Sequence, residues 1–136
     1  METKGLFLNG DRQAFKEREL IIRKESILNL SPKEEEQFLR ERTKYLKATP
    51  FIQSNHPEIE AKAKEIVSQV DSDVVKASKL LNWVHQNIQK RPVLSVPNAL
   101  ETLRNRVGDC NEHAVLLAAL ARASGIPAEV EAGLVY

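Results

Sequence analysis

The sequence predicts an α+β domain that is mostly helical, and two observations support this prediction. Apolar residues recur at helical spacing in several segments between residues 31 and 123, and residues typical of helix caps flank these segments. After Gly125 and Pro127 the pattern changes to the alternation typical of a β-strand. The alternating apolar residues are Val130, Ala132, Leu134 and Tyr136.

Composition excludes several classes of partner. The 136 residues suit one domain of ordinary size, and 20 basic against 19 acidic residues leave a net charge of +1. Such a chain has no field that favours nucleic acid or anionic lipid. Its start is charged and unlike a signal peptide, and its longest nearly uncharged run, 114–121, is far short of the roughly 20 residues of a membrane span. We expect no nucleic-acid or membrane contact, and the compartment stays open.

The first 30 residues differ in texture from the rest. Leu6-Phe7-Leu8 and residues 18–23 are short apolar runs, and Asn9-Gly10 is a turn signal. We expect residues 1–30 to form a small β-hairpin or the edge of a preceding domain. Residues 31–136 are expected to form the main domain.

Four helices are predicted before the last one: the first follows the N-cap Ser31, the second begins at Pro57, the third follows Asp71-Ser72-Asp73, and the fourth begins at Pro97. The acidic residues Glu58 and Glu60 suit the positive first turn of the second helix. The residues expected on the buried faces are, helix by helix, Phe38, Leu39, Tyr45 and Leu46; Ile59, Ala63, Ile66 and Val70; Val74, Ala77, Leu81, Val84 and Ile88; Leu100 and Leu103.

The last helix is predicted to be central. Residues 110–123 read CNEHAVLLAALARA, and the ten residues from Ala114 onward contain one charge, so we expect other elements to surround this helix. Gly125 is expected to supply a left-handed cap, and Pro127 prevents the helix from continuing.

The single cysteine, Cys110, stands at the start of this helix. Free backbone N–H groups and the helix dipole favour a thiolate there, and the same amides could hold an oxyanion during acyl transfer. Gly108 would allow an unusual turn conformation and close approach of a substrate. Asp109 is expected to cap the helix. The alternative from composition alone is that Cys110 is a small buried hydrophobe.

The string from residue 103 to residue 136, LRNRVGDCNEHAVLLAALARASGIPAEVEAGLVY, resembles the nucleophile segment of the transglutaminase-like superfamily, particularly its microbial cysteine-protease members. The resemblance rests on Gly108 and Cys110, on the Glu112-His113-Ala114 that follows, and on Gly125-Ile126-Pro127-Ala128 with the final Gly-Leu-Val-Tyr. A weaker resemblance extends upstream to about residue 45. It implies that residues 31–136 form the N-terminal part of a papain-like core with a short terminal strand.

The resemblance also implies a chemistry. In this family a Cys-His-Asp triad performs acyl transfer or hydrolysis on protein or peptide amides through a thioester, without a cofactor. Cys110 matches the nucleophile. The family's histidine and aspartate lie on later strands, and neither has a counterpart here, so we expect this chain alone to be inactive. Many relatives carry arginine where Glu129 stands, and a carboxylate near the thiol would oppose thiolate formation.

The remaining candidate residues are expected to support the site. His113 follows Cys110 by three positions, and a structural or supporting role is favoured over that of a base because its side chain points back over the preceding turn. Trp83 is either core or part of a substrate groove. His85 is expected at the surface and His56 in a helix cap. One cysteine without a paired ligand motif predicts no metal site.

Two further expectations follow. An unpaired terminal strand would leave an exposed edge, which is a route to a homo-oligomer.

The competing function is a non-catalytic transglutaminase-like module that binds peptides or proteins, in which Cys110 serves only packing. Thiol reactivity separates the two, because a packing thiol reacts only after denaturation.

Overall fold

The structure, a computed structural model, describes residues 9, 13–23, 36, 40, 42–94 and 96–133. These belong to two compact units, Met1–Gln37 and Phe38–Tyr136, and each is described by itself. The predicted strand at Leu6–Leu8 and the predicted helix start at Ser31 lie outside the described residues, although Glu36 and Arg40 are helical.

The first unit contains an antiparallel hairpin of β1, Gln13–Lys16, and β2, Glu19–Ile22. Its turn is Glu17-Arg18, and both residues have positive φ, 53° and 67°, as two-residue hairpin turns of the primed type require. The turn predicted at Asn9-Gly10 is not the turn of this hairpin. Asn9 instead accepts a hydrogen bond at 2.8 Å through Oδ1 from the Phe15 N–H.

The second unit is built around one helix. Three helices, α1 at Pro57–Ile66, α2 at Asp73–Asn87 and α3 at Ala99–Asn105, pack around α4 at Cys110–Ala123. The prediction of a central helix is therefore confirmed. The largest fully buried side chains are Ile59, Leu80, Leu116 and Leu120.

Side-chain caps start the three surrounding helices. The Glu58 N–H donates to His56 Nδ1 at 3.3 Å, as expected of a capping histidine. Ser72 Oγ and Asn98 Oδ1 accept the N–H groups of Val75 and Glu101 at 3.4 and 3.1 Å. Since Asn98 is the cap, α3 begins at residue 99 and not at residue 97 as predicted.

Of the five residues predicted on the buried face of α2, the first three are exposed and the last two are buried. Val74 and Leu81 are 65% and 54% exposed and Ala77 is also exposed, whereas Leu80 is fully buried. The helix carries two overlapping apolar stripes, and the stripe of Leu80 and Val84 is the one that faces the core. Val70, predicted on α1, is 92% exposed because that helix ends at residue 66.

The predicted C-terminal strand is not found in the described residues, since residues 126–133 form no strand. A strand needs a neighbour that completes its ladder of hydrogen bonds. This segment instead follows the end of α4, where the Ala128 N–H donates to the Tyr45 carbonyl at 3.2 Å. Leu134 and Tyr136 lie outside the described residues.

The left-handed cap predicted at Gly125 is confirmed, with φ of 81°. Two short parallel strands complete the unit: β3, Gln89–Lys90, pairs with β4, Val107–Gly108. Within the described residues, no helix is both long and apolar enough to span a bilayer.

Candidate active site at the start of the central helix

The backbone that leads to Cys110 is fixed on both sides. Arg106 follows the last residue of α3, and its left-handed φ of 56° turns the chain into β4. Two hydrogen bonds of 2.9 Å then hold β4, from the Gln89 N–H to the Arg106 carbonyl and from the Arg91 N–H to the Gly108 carbonyl. These bonds therefore fix the position of the backbone just before the first residue of α4.

Gly108 is required for a reason that the sequence analysis did not anticipate. Its φ is not in the left-handed region, so the expected unusual conformation is absent. A Cβ at this position would lie 2.2 Å from Cβ and 2.8 Å from Cγ of Glu112. Only glycine allows the Glu112 side chain to fold back over the preceding strand.

Asp109 and Glu112 form a reciprocal capping box. Asp109 accepts the Asn111 N–H through Oδ1 at 2.9 Å and also accepts the Glu112 N–H. Glu112, 4% exposed, accepts the Asp109 N–H through Oε2 at 3.0 Å. The bond from Asn111, assisted by Glu112 and His113, holds the pKa of Asp109 below its ordinary value. Asp109 thus caps α4 as expected and is ionised at neutral pH.

Cys110 is exposed at the first position of α4, which removes the reading of a buried packing thiol. The capping box occupies the N–H groups of Asn111 and Glu112, so these donors are not open to an oxyanion. Within the described part of the chain, neither carboxylate of the box binds the N–H of Cys110 itself. The N–H of Cys110 is therefore the first-turn donor that the box leaves for the oxygen of a carbonyl group attacked by Sγ.

His113 bridges two elements through backbone carbonyls. Its Nδ1 lies 2.6 Å from the Asp109 carbonyl oxygen and its Nε2 lies 3.3 Å from that of Ile88. The half-buried ring thereby joins the start of α4 to the end of α2. With both ring nitrogens directed at backbone, the arrangement fits a residue that positions the helix better than a base for Cys110.

Trp83 lies between two cations on the face of α2 that packs against the core. Arg106 Cζ is 4.6 Å and Lys62 Nζ is 5.6 Å from its ring centroid. The stacking of Arg106 on the ring supports the left-handed turn that starts β4. The two cavities beside the start of α4 are lined by other residues.

The first of these cavities is open, apolar and about 240 Å³ in volume. Its α4 wall is formed by Asn111, the neighbour of Cys110, and by Val115 one turn further on. The other lining residues are Phe51, Val96, Pro97 and Val130.

The second cavity, about 190 Å³, is more polar and more enclosed. The buried Glu112 forms part of its wall, and Val96 lines both cavities. Its remaining lining residues are Val93, Leu94, Asn98, Glu101, Thr102, Asn105 and Val107.

Glu129 lies in the segment that follows α4. It interacts electrostatically with Arg122, in the last turn of that helix. Its neighbour Val130 lines the same cavity as Asn111. The expected effect of the Glu129 carboxylate on the Cys110 thiol therefore stays a prediction.

His85 is exposed, as predicted. Among the described residues, no group of three or more His, Cys, Asp or Glu side chains is placed to hold a metal ion.

Two residues near the start of α4 were not predicted to lie there or to contact it. The capping partner Glu112 could have been found, because an N-cap followed three residues later by glutamate is a known pattern. Phe51 could not have been found, because it comes from an irregular loop 59 residues earlier in the chain and carries no motif.

Comparisons with known proteins agree with this architecture. A solved structure of a "putative cysteine protease" from Cytophaga hutchinsonii superposes with a TM-score of 0.57 at 20% identity, over 74% of this chain and 32% of that one. The chain thus spans about a third of that structure, and at this identity the likeness shows the fold. No curated protein matches the sequence. The family model described as "Transglutaminase-like superfamily" matches residues 60–136, which are more than half of the chain. The chain belongs to the transglutaminase-like superfamily.

Proposed function

We propose that this chain carries the nucleophile of a cysteine enzyme that acts on protein or peptide amides, with Cys110 as that nucleophile. The observation that carries the proposal is an exposed thiol at the first residue of the central helix. A helix start favours the thiolate form of a cysteine. The resemblance implies that a thioester at Cys110 is the step common to hydrolysis, crosslinking and deamidation.

The surroundings of Cys110 support this role by fixing its backbone. The strand β4 holds the chain before it, Gly108 admits the Glu112 side chain, and His113 ties the first turn to α2. A nucleophile on a fixed helix end meets a bound carbonyl in one geometry, which lowers the entropic cost of the attack. Gly108, Asp109 and His113 are therefore proposed to position the nucleophile.

One observation favours the second candidate function, a non-catalytic module that binds peptides or proteins. Asp109 occupies two of the first-turn N–H groups, and its ionised carboxylate is adjacent in sequence to the thiol. A negative charge there disfavours a thiolate and also a negatively charged intermediate. The two candidates therefore differ in how readily the thiol is acylated.

Acylation by an activated ester tests the proposal without a general acid. Cys110 Sγ would attack the carbonyl of p-nitrophenyl acetate, forming the S–C bond as the C–O bond breaks and p-nitrophenolate leaves. We expect a burst of about one nitrophenolate per chain at pH 7 and an acetyl group on Cys110 by mass spectrometry. The Cys110→Ala variant should give no burst. A folded chain whose thiol is acylated no faster than glutathione would favour the binding module.

A further inference from the structure

The apolar cavity begins one residue from the proposed nucleophile. Asn111 follows Cys110 directly, and Val115 lies one turn further along the same helix. One helical turn rises about 5.4 Å, and an extended peptide advances about 3.3–3.6 Å per residue. A peptide whose carbonyl lies at Sγ and whose chain runs along α4 toward Val115 would bring a side chain one or two residues away to this cavity.

The chemistry of the walls selects for apolar groups. Asn111 is the one polar residue among the six that line the cavity, and none of the six is charged. Phe51 and Val96 are 52% and 67% exposed, so considerable apolar surface is left open in the cavity that Asn111 lines. Exposed apolar surface in a concave site marks a place where another molecule binds.

The wall that Phe51 provides is held in place through its backbone. The Ala99 N–H donates to the Phe51 carbonyl at 3.0 Å. The side chain of Gln53 donates to the Pro50 carbonyl at 2.7 Å and accepts the Leu100 N–H at 3.2 Å. The loop is thus fastened to the start of α3, so that the cavity exists before a ligand binds.

The volume limits what the cavity can hold. At about 240 Å³ it is smaller than the roughly 300–1,000 Å³ of sites for drug-sized ligands, so it has room for one large side chain. The neighbouring cavity is mixed, because its lining includes four apolar residues but also Glu101, Glu112 and two asparagines, whose desolvation opposes the binding of an apolar group. The first cavity is therefore the better match for an apolar side chain beside the thiol.

We propose that the cavity formed by Phe51, Val96, Pro97, Asn111, Val115 and Val130 is a specificity subsite that binds one leucine- or phenylalanine-sized side chain of the substrate peptide. The inference rests on the proposed function and adds to it the class of substrate: a peptide with a large apolar residue next to the attacked amide. Phe51 and Val130 are its specificity-determining residues.

Alkylation rates of Cys110 test this inference with a matched pair of reagents. The two probes are N-(3-methylbutyl)chloroacetamide, which is apolar, and N-(2-hydroxyethyl)chloroacetamide, which is polar and uncharged. In both cases Sγ attacks the methylene carbon, the S–C bond forms, and the C–Cl bond breaks with loss of chloride. Each rate is divided by the rate of the same probe with glutathione, which removes differences in intrinsic reactivity.

We expect the folded chain to prefer the apolar probe by about tenfold, which is typical of the discrimination that one apolar pocket provides. Phe51→Ser should reduce this ratio to about one. Val130→Ser, in a separate segment of the chain, should reduce it as well. Leu81→Ser is the control, since Leu81 is 54% exposed, similar to Phe51, and lies on α2 outside the cavity, so it should keep the ratio.

The outcomes separate the inference from the function on which it rests. If Cys110 reacts faster than glutathione with both probes but without preference, the subsite is wrong and the nucleophile stands. A preference that survives in both Phe51→Ser and Val130→Ser would also overturn the subsite. If Cys110 reacts with neither probe until the chain is denatured, the proposed function and the subsite both fall.

Discussion

The two ends of the central helix α4 are fastened in different ways. At its start, exposed Cys110 is surrounded by a capping box whose hydrogen bonds join residues three or fewer positions apart. At its end, buried Arg122 donates through Nε to the Ala128 carbonyl at 2.8 Å and through Nη1 to the Lys47 carbonyl at 2.6 Å. The start of α4 holds an accessible thiol with mainly local bonds, supplemented by the contact of His113 with the Ile88 carbonyl, whereas the end holds two distant segments with one buried cation.

The residues at the end of α4 are placed to stabilise the fold, whereas those at its start determine the environment of the Cys110 thiol. Burial lowers the pKa of Arg122, and nearby Glu129 acts in the opposite direction. A buried guanidinium is stable only while its hydrogen bonds are made. The start of the helix instead leaves its thiol in solvent and relies on backbone geometry. Substitutions at the two ends should therefore separate effects on folding from effects on reactivity.

The largest loss of stability is expected from Gly108→Ala. The added Cβ would meet Glu112 Cβ at 2.2 Å, so the capping box must open or the strand must move. We expect a loss of about 3 kcal/mol in the free energy of unfolding, measured by urea denaturation. Gly133→Ala is the control, because a Cβ there has no neighbour within 4 Å. Equal stability of the two variants would contradict the close packing of Glu112 on Gly108.

The second largest loss of stability is expected from a substitution at the other end of α4. Arg122→Met keeps most of the apolar stem but leaves the Lys47 and Ala128 carbonyls without their donor. We expect a loss of about 2 kcal/mol in the free energy of unfolding, with little change in the alkylation rate of Cys110. Arg91→Met, at an exposed position, should change stability by less than about 0.5 kcal/mol. A large loss of thiol reactivity in Arg122→Met would show that the two ends are coupled.

A smaller effect is expected at His113. His113→Phe keeps a ring but removes both contacts to the carbonyls of Asp109 and Ile88, which should cost about 1 kcal/mol of stability. The rate of alkylation by iodoacetamide at pH 7 should change less than about twofold. His85→Phe, on the exposed face of α2, is the control. Unchanged stability with a tenfold slower alkylation would instead identify His113 as a base.

The smallest effect is expected from Asp109→Asn. Asparagine is as good an N-cap as aspartate, so stability should hardly change, while the negative charge beside Cys110 is removed. We expect alkylation to become about two- to threefold faster at low salt, and the gain to shrink in about 1 M salt, where the Debye length is about 3 Å. Asp73→Asn, in the first turn of α2, should leave the rate unchanged. A slower rate in Asp109→Asn would mean that its carboxylate assists the thiolate.

Local signals predicted the helical framework well. Pro57, Ser72 and Asp109 each mark a helix start that the structure contains, because caps act through bonds to N–H groups two or three residues away. The low polarity of α4 also predicted its central place. Both kinds of information lie within one short segment of sequence.

Features that depend on distant partners were less predictable. On α2, both apolar stripes satisfy helical spacing, and contact with α4 decides in favour of Leu80 and Val84 over Leu81. The strand predicted after Pro127 required a neighbour that sequence periodicity cannot supply. Phe51 lines the cavity beside Asn111 as part of a loop that the Ala99 N–H and the Gln53 side chain fasten to α3, and such contacts leave no local signal in the sequence.

The capping box also bears on the order in which the molecule assembles. The bond from the Asp109 N–H to Glu112 closes a loop of three residues, whereas the bond from Arg122 to the Lys47 carbonyl closes one of 75. Short loops close first because they lose the least chain entropy. We expect pulsed hydrogen exchange during refolding to protect the first turn of α4 before Arg122 is fastened. The capping box would then form as a local unit, ahead of the longer-range contacts of the domain, which include that of His113 with Ile88.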